Sequence, residues 1–282
     1  MIPAFTYLPF GFFLKTRLIG NFKRISWLFI YFIPGIFLYY YAVALPGLSA
    51  LGLLVLGILL VNYVYDNGYL ENDVLTIKKE AKPTLRLSPE AISNIQANLG
   101  KIVTLRLIIC SLLLAAYAGI SPDATAFWTM LAILACLQVL YLIYNRIRNI
   151  GNLFLIIPLS YIRFYGFILP FVRGSELGLF IIFSLFLYPF PKFIEFSTMP
   201  RYKKVFPYAD SFNMDTFRVK YYFVYASVSG IISYVYKVPF GYLFFLVGLF
   251  YFLFRLIGLL ALRRTMVLKD FQDNFGRSKA KK

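Results

Sequence analysis

The chain has 282 residues, of which 60% are hydrophobic and 20% aromatic, and it carries a net charge of +17 without a single histidine. So much apolar surface excludes a soluble globular domain, and the lack of histidine excludes histidine bases, histidine metal ligands and histidine-bound haem. The Lys and Arg residues lie between apolar stretches, which indicates a role in membrane topology and no nucleic-acid partner, so we expect an all-α polytopic membrane protein.

The apolar stretches predict about eight transmembrane helices, since about 20 apolar residues cross a bilayer core. Residues 1–24 form a cytoplasmic or interfacial segment without a signal-peptide pattern, so we expect nothing to be removed. The predicted spans are residues 25–43, 47–66, 101–119, 124–143, 150–171, 176–191, 219–236 and 239–262.

Charge asymmetry predicts the orientation of these spans. The short turns at Leu45-Pro46-Gly47 and Ser121-Pro122-Asp123 carry no Lys or Arg, whereas the opposite face carries most of the cations. By the positive-inside rule that face is cytoplasmic, and with it both termini. We therefore expect a single transmembrane domain over residues 1–282, in two four-helix halves. Its cytoplasmic parts would be two loops over one cavity, 67–100 and 192–218, and a basic tail, 263–282.

The end of the second predicted span carries the first candidate site. Three of the chain's 12 acidic residues lie between Asp66 and Asp73. At 100° per residue Asn62, Asp66 and Asp73 share one helix face, and Glu71 points away. An amide and two carboxylates on one face suit Mg²⁺ with substrate phosphates. If Asn67-Gly68 breaks the helix, Glu71 replaces Asp73 as a ligand; the alternative for the whole segment is a solvated helix end with ordinary caps.

Cations form the second set of candidates. Arg163 lies in the middle of a predicted span, where an arginine is costly and usually faces a cavity or a partner. Arg106 and Arg255 lie nearer the membrane edges, and we interpret them as snorkelling side chains. We interpret Asp210 and Asp215 as residues of a solvated turn. For the loop cations from Arg201 to Lys204, the alternative to phosphate binding is that their charge only sets the membrane topology. The candidates for phosphate binding are Lys82, Arg86, Arg163, Lys192, Arg201, Lys203 and Lys204, with Glu195 one turn after Lys192.

The pattern Asn62-x-x-x-Asp66, followed by Lys82-Pro83-Thr-Leu-Arg86, resembles the UbiA superfamily of intramembrane prenyltransferases. The family's long cytoplasmic loops after spans two and six match the predicted layout. The chain departs from the family in having Leu70 where a further acid is usual, in its eight spans instead of nine, and in lacking the second aspartate-rich motif. Lys192-x-x-Glu195 stands in that place, which is similar to the branch that transfers phosphoribose from phosphoribosyl pyrophosphate to polyprenyl phosphate.

This resemblance implies a Mg²⁺-dependent transferase in a bacterial inner membrane. Its partners would be a phosphorylated sugar donor, membrane lipid and a polyprenyl phosphate acceptor. Asn62 and Asp66, with Asp73 or Glu71, would hold the metal, and Lys192 and Glu195 would complete the catalytic set. The alternatives are a conventional prenyltransferase, which joins a polyprenyl diphosphate to a small acceptor, and a lipid or solute transporter without enzymatic activity.

Overall fold

The computed structural model of the chain describes residues 2–43, 45, 47–77, 85–147, 149–174, 176–203, 205–207 and 212–264. Within these ranges all regular structure is helical and no strand occurs. The α-helices are α1 (Gly11–Thr16), α2 (Asn21–Trp27), α3 (Ile33–Ala42), α4 (Gly47–Glu71), α5 (Pro89–Ala97), α6 (Leu99–Ile120), α7 (Ala124–Arg146), α8 (Gly151–Tyr165), α9 (Glu176–Leu187), α10 (Pro189–Ser197), α11 (Met214–Tyr236) and α12 (Pro239–Arg264).

The chain divides into two compact units, Met1–Gly178 and Leu179–Lys282. The sequence predicts two four-helix halves that meet between the fourth and fifth spans. The division instead falls inside α9, because α8 packs against α4 and α7 in the first unit.

Six helical stretches are long and apolar enough to cross a membrane, which confirms a helical membrane protein. Two of the eight predicted spans are not long or apolar enough to be counted among these stretches. The span at 150–171 is interrupted, since α8 has only 15 residues, and the tyrosines and serines of α11 lower the hydropathy of the span at 219–236. The six stretches are Lys23–Ala42, Gly47–Thr76, Leu99–Ile120, Ala124–Arg146, Glu176–Ser197 and Phe240–Ala261.

The second span is longer than predicted and contains the first candidate site. α4 runs through Asn67-Gly68 without a break and continues into a π-helical turn, Asn72–Thr76, so the predicted loop start at residue 67 is wrong. Gly68 permits close packing instead: a Cβ atom there would lie 2.0 Å from the ring of Tyr141 on α7. The whole stretch of 30 residues is about 45 Å long, which exceeds a bilayer core of about 30 Å.

The far end of this long helix packs in an apolar cluster with the N-terminal segment. α5 contributes to the cluster and begins at Pro89, after Ser88 Oγ accepts a hydrogen bond from the Ala91 amide. Much of the predicted loop 67–100 is therefore helical. The buried members of the cluster are Phe12, Leu70, Val74, Leu87, Ile92, Ile95 and Ile102.

In the second unit, α11 and α12 pack closely along their length. The chain turns between them at Lys237, whose φ of 50° lies in the left-handed region. Gly248 allows the close approach, because a Cβ atom there would lie 2.7 Å from the Tyr225 ring. This pairing holds Arg218 near the start of α11 and Arg255 near the end of α12.

Candidate functional site

Asn62 and Asp66 are both buried on α4 in the first unit. Asn62 Nδ2 donates to the Tyr31 hydroxyl at 2.7 Å and to the Ile58 carbonyl at 3.0 Å, whereas its Oδ1 is buried without a hydrogen-bond partner. Asp66 Oδ2 accepts a weak hydrogen bond from the Phe13 amide at 3.4 Å. Among the described residues no Lys or Arg nitrogen lies within 4 Å of the Asp66 carboxylate. Both side chains therefore keep acceptor capacity.

Asp73 lies in a different environment, because two arginines bind its carboxylate. Arg17 Nη1 lies 2.7 Å from Oδ2 and Arg17 Nη2 lies 3.0 Å from Oδ1, so the pair is bidentate. Arg86 Nη1 reaches Oδ1 at 3.2 Å. Burial alone would lower the pKa of Arg17, but its hydrogen bond to Asp73 and the nearby negative charge raise the pKa above its usual value. Asp73 thus ties the N-terminal segment and Arg86 to the end of the long helix.

Glu71 faces α7, where Asn145 Nδ2 donates to its Oε2 at 3.0 Å and to the Gly68 carbonyl at 3.0 Å. The four predicted metal ligands therefore have separate partners. No group of three acidic, cysteine or histidine side chains able to hold a metal occurs in the described part of the chain. Asn62 and Asp66 still fit a Mg²⁺ ion that is held mainly by substrate phosphates, because each keeps an unused oxygen. Asp73 does not fit, because its charge is neutralised.

Arg163 is a buried charge of the first unit that forms no ion pair with a described residue. Its Nη1 donates to the Tyr69 hydroxyl at 2.9 Å, and its guanidinium carbon lies 4.3 Å from the ring centroids of both Phe13 and Tyr65. Its Nε is buried without a partner, and no carboxylate of a described residue lies within 4 Å. The aromatic rings stabilise the cation by cation–π interactions, and Asp66 lies near enough to interact with it electrostatically without forming an ion pair.

Tyr31 connects Arg163 to Asn62. Its hydroxyl accepts from Asn62 and donates to the Arg163 carbonyl at 2.9 Å. Tyr31 lies in a second π-helical turn, Leu28–Phe32, and such turns occur often at functional sites. Sequence reasoning missed Tyr31, Tyr69 and Asn145, because no local pattern marks a buried tyrosine or asparagine among so many aromatic residues.

Arg106 is buried in the first unit, so the interpretation of it as a snorkelling side chain is wrong. It donates to Asn67 Oδ1 at 2.5 Å, to the Thr6 carbonyl at 2.9 Å and to the Tyr63 carbonyl at 2.7 Å. These acceptors account for its burial, and they make it a structural clamp between the N-terminal segment, α4 and α6.

The second unit holds an ionic network around Glu195. Lys192 Nζ lies 3.2 Å from Glu195 Oε2 on α10, and Arg218 Nη2 lies 2.8 Å from Glu195 Oε1. Arg218 Nη1 also pairs with Asp215 Oδ1 at 3.1 Å, so Asp215 is an ion-pair partner and the solvated turn predicted for it is wrong.

The remaining predicted site residues are exposed or lie outside the part of the chain that the structure describes. Lys203 is exposed. Lys82, Lys204, Asp210, the side chain of Arg201 and the tail from residue 265 lie outside the described residues.

Comparison of the chain with models of protein families, with curated proteins and with solved structures finds no match.

Proposed function

We propose that the chain is a membrane-embedded transferase that moves phosphoribose from phosphoribosyl pyrophosphate to a polyprenyl phosphate. The observation that carries the proposal is Arg163, a buried cation with no carboxylate of a described residue within 4 Å, near Asp66 and Asn62, which keep unused acceptor oxygens. A buried charge without a partner is costly, and an anionic substrate would compensate it.

The residues of the first unit have separate roles in this proposal. Arg163 binds a phosphate oxygen through charge-assisted hydrogen bonds, beside the aromatic rings of Phe13 and Tyr65. Asn62 and Asp66 would hold Mg²⁺, which when bound supplies charge stabilisation to the departing pyrophosphate. Tyr31 orients Asn62, and the ion pair between Arg17 and Asp73 keeps Phe13 against Asp66.

The proposed reaction needs no general base, which suits a chain without histidine. An oxygen of the lipid phosphate, already an anion, forms the new bond to the anomeric carbon of the ribose. The bond between that carbon and the pyrophosphate oxygen breaks, and its electron pair leaves with pyrophosphate. Positioning and charge stabilisation by Arg163 and the neighbouring groups would then be the main contributions of the protein.

The cationic network of the second unit favours this donor over a prenyl diphosphate. Lys192-x-x-Glu195 stands where the resembling family usually has paired aspartates, and Arg218 pairs with Glu195. Phosphoribosyl pyrophosphate has three phosphates and the acceptor adds a fourth, so cations suit this pair of substrates better than further carboxylates.

The test is a transfer assay with purified protein in nanodiscs, Mg²⁺, radiolabelled phosphoribosyl pyrophosphate and a short-chain polyprenyl phosphate. We expect label to appear in the lipid fraction, in proportion to protein concentration, and to be lost without acceptor. Transfer of a prenyl group from a prenyl diphosphate to a small acceptor, with no ribose transfer, would instead identify a conventional prenyltransferase. A protein without either transfer activity would contradict the proposal.

A further inference from the structure

Arg255 stands apart from the other charged groups of the second unit. It belongs to the apolar span Phe240–Ala261, yet its Nε is fully buried without a hydrogen-bond partner. Arg255 donates no hydrogen bond to any residue that the structure describes, and its recorded ring contact is with its neighbour Phe254, at 5.9 Å. Arg255 as a whole is half-buried, and its Nε is the nitrogen that is closed off without a hydrogen-bond partner.

The surroundings of Arg255 are already charged. It lies close enough to Glu195 and Arg218 for electrostatic interaction, and the same holds for the hydroxyl-bearing rings of Tyr188 and Tyr222. Glu195 is the nearby carboxylate, but Lys192 and Arg218 occupy its two oxygens. Arg218 and Arg255 therefore repel each other, and Arg255, unlike Arg218, has no ion pair of its own among the described residues.

The balance of charges in this cluster indicates which kind of ligand would compensate Arg255. Among the residues that the structure describes, the cations of this cluster are Lys192, Arg218 and Arg255 and its carboxylates are Glu195 and Asp215, so these groups together leave one positive charge. An arginine inside a membrane span is costly unless it serves a partner or a cavity. Guanidinium groups bind phosphate oxygens with bidentate geometry, which makes a phosphate group the fitting ligand.

We propose that Arg255 and Arg218 form a phosphate-binding site in the second unit, with Glu195 as the carboxylate that holds Arg218 and Lys192 in position. The identity of the phosphate as part of a substrate rests on the proposed function; the anion site itself does not. The phosphate belongs either to a soluble pyrophosphate compound or to a lipid phosphate. Soluble and lipid ligands tested separately distinguish the two.

The experiment measures ligand binding without turnover. Wild-type protein and Arg255→Gln are titrated in detergent with pyrophosphate, phosphoribosyl pyrophosphate and a short-chain polyprenyl phosphate, with thermal stabilisation as the readout. For the ligand that uses the site, Arg255→Gln should raise the apparent Kd about tenfold or more, which corresponds to loss of one charged hydrogen bond. Arg255→Lys should recover part of the affinity.

Arg173→Gln is the control, because Arg173 forms an exposed pair with Asp123 in the first unit. It should bind all three ligands as wild type does. A weakened response to the two soluble ligands assigns the site to the donor or its product, and a weakened response to the lipid alone assigns it to the acceptor. Unchanged affinity for every ligand in folded Arg255→Gln would overturn the inference. Phosphate binding that depends on Arg255, in a protein without ribose transfer, would keep the site and reject the proposed function.

Discussion

Asp66 and Asp73 lie on one helical stretch and look alike in sequence, but their surroundings differ. Asp66 has a single weak hydrogen bond from a backbone amide, whereas Asp73 is bound by two arginines. One carboxylate is therefore available to a ligand and the other is committed to structure. Substitutions at the two positions should separate activity from stability.

Substitution Asp66→Asn should abolish most transfer activity and leave the fold intact. The amide has the same shape and can still accept from the Phe13 amide, but it lacks the charge that a metal or a reacting centre requires. We expect at least a hundredfold lower turnover with a thermal midpoint close to that of wild type. Glu71→Gln is the matched control, because Glu71 is bound by Asn145 and should retain activity. Normal turnover by folded Asp66→Asn would remove Asp66 from the mechanism.

Substitution Asp73→Asn should chiefly destabilise the protein. It removes the buried carboxylate that Arg17 and Arg86 both bind, and breaking a buried ion pair typically costs about 3 kcal/mol. Thermal unfolding followed by the fluorescence of Trp27 measures this loss, because Trp27 packs against Phe13 of the N-terminal segment. Asp123→Asn breaks an exposed pair with Arg173 and should cost less than about 1 kcal/mol. Equal stability losses in the two variants would show that the ion pairs of Asp73 contribute no more to stability than an exposed pair does.

At the level of helices, Gly68 allows α4 and α7 to pack closely. A methyl group there would overlap the Tyr141 ring, so Gly68→Ala should push the helices apart and lower stability by about 2 kcal/mol. Gly100→Ala is the matched control, because a Cβ atom at Gly100 on α6 has no neighbour within 4 Å. That change should be neutral or stabilising through helix propensity. Thermal unfolding of both variants measures the difference in stability. A Gly68→Ala variant as stable as wild type would contradict the close packing of α4 against α7.

Helix positions were predictable from apolar runs, but helix interruptions were not. Each of the eight predicted spans overlaps helical structure, since each is an apolar run bounded by polar or turn residues, but the run at 150–171 is interrupted and the second extends to Thr76. The sequence could not show that Asn67-Gly68 lies inside a helix, because turn propensity there is overridden by packing against Tyr141. Nor could it show which arginine pairs with which carboxylate. Arg17 and Asp73 are far apart in sequence and meet only through the folded N-terminal segment.

At the level of the whole molecule, the distribution of cations predicts which ends of the helices face the cytoplasm. α6 provides the sharpest test, because it has 22 residues and is therefore about 33 Å long, enough to cross a bilayer core. Before it lies the exposed residue Glu90 on α5, and after it the exposed residue Pro122. If α6 crosses the membrane, these two positions lie on opposite sides.

Single cysteines at the two positions test this orientation directly. Cys110 and Cys136 are free thiols and are first replaced by alanine, so that each variant carries one reactive site. In intact cells an impermeant maleimide should label Pro122→Cys, and Glu90→Cys should react only after the membrane is opened, because the positive-inside rule puts the Lys- and Arg-rich side in the cytoplasm. Labelling of both positions in intact cells, or of neither, would contradict a membrane-spanning α6. Labelling of Glu90→Cys alone would keep the span and invert the orientation, which would place the Asp66 site away from any cytoplasmic donor.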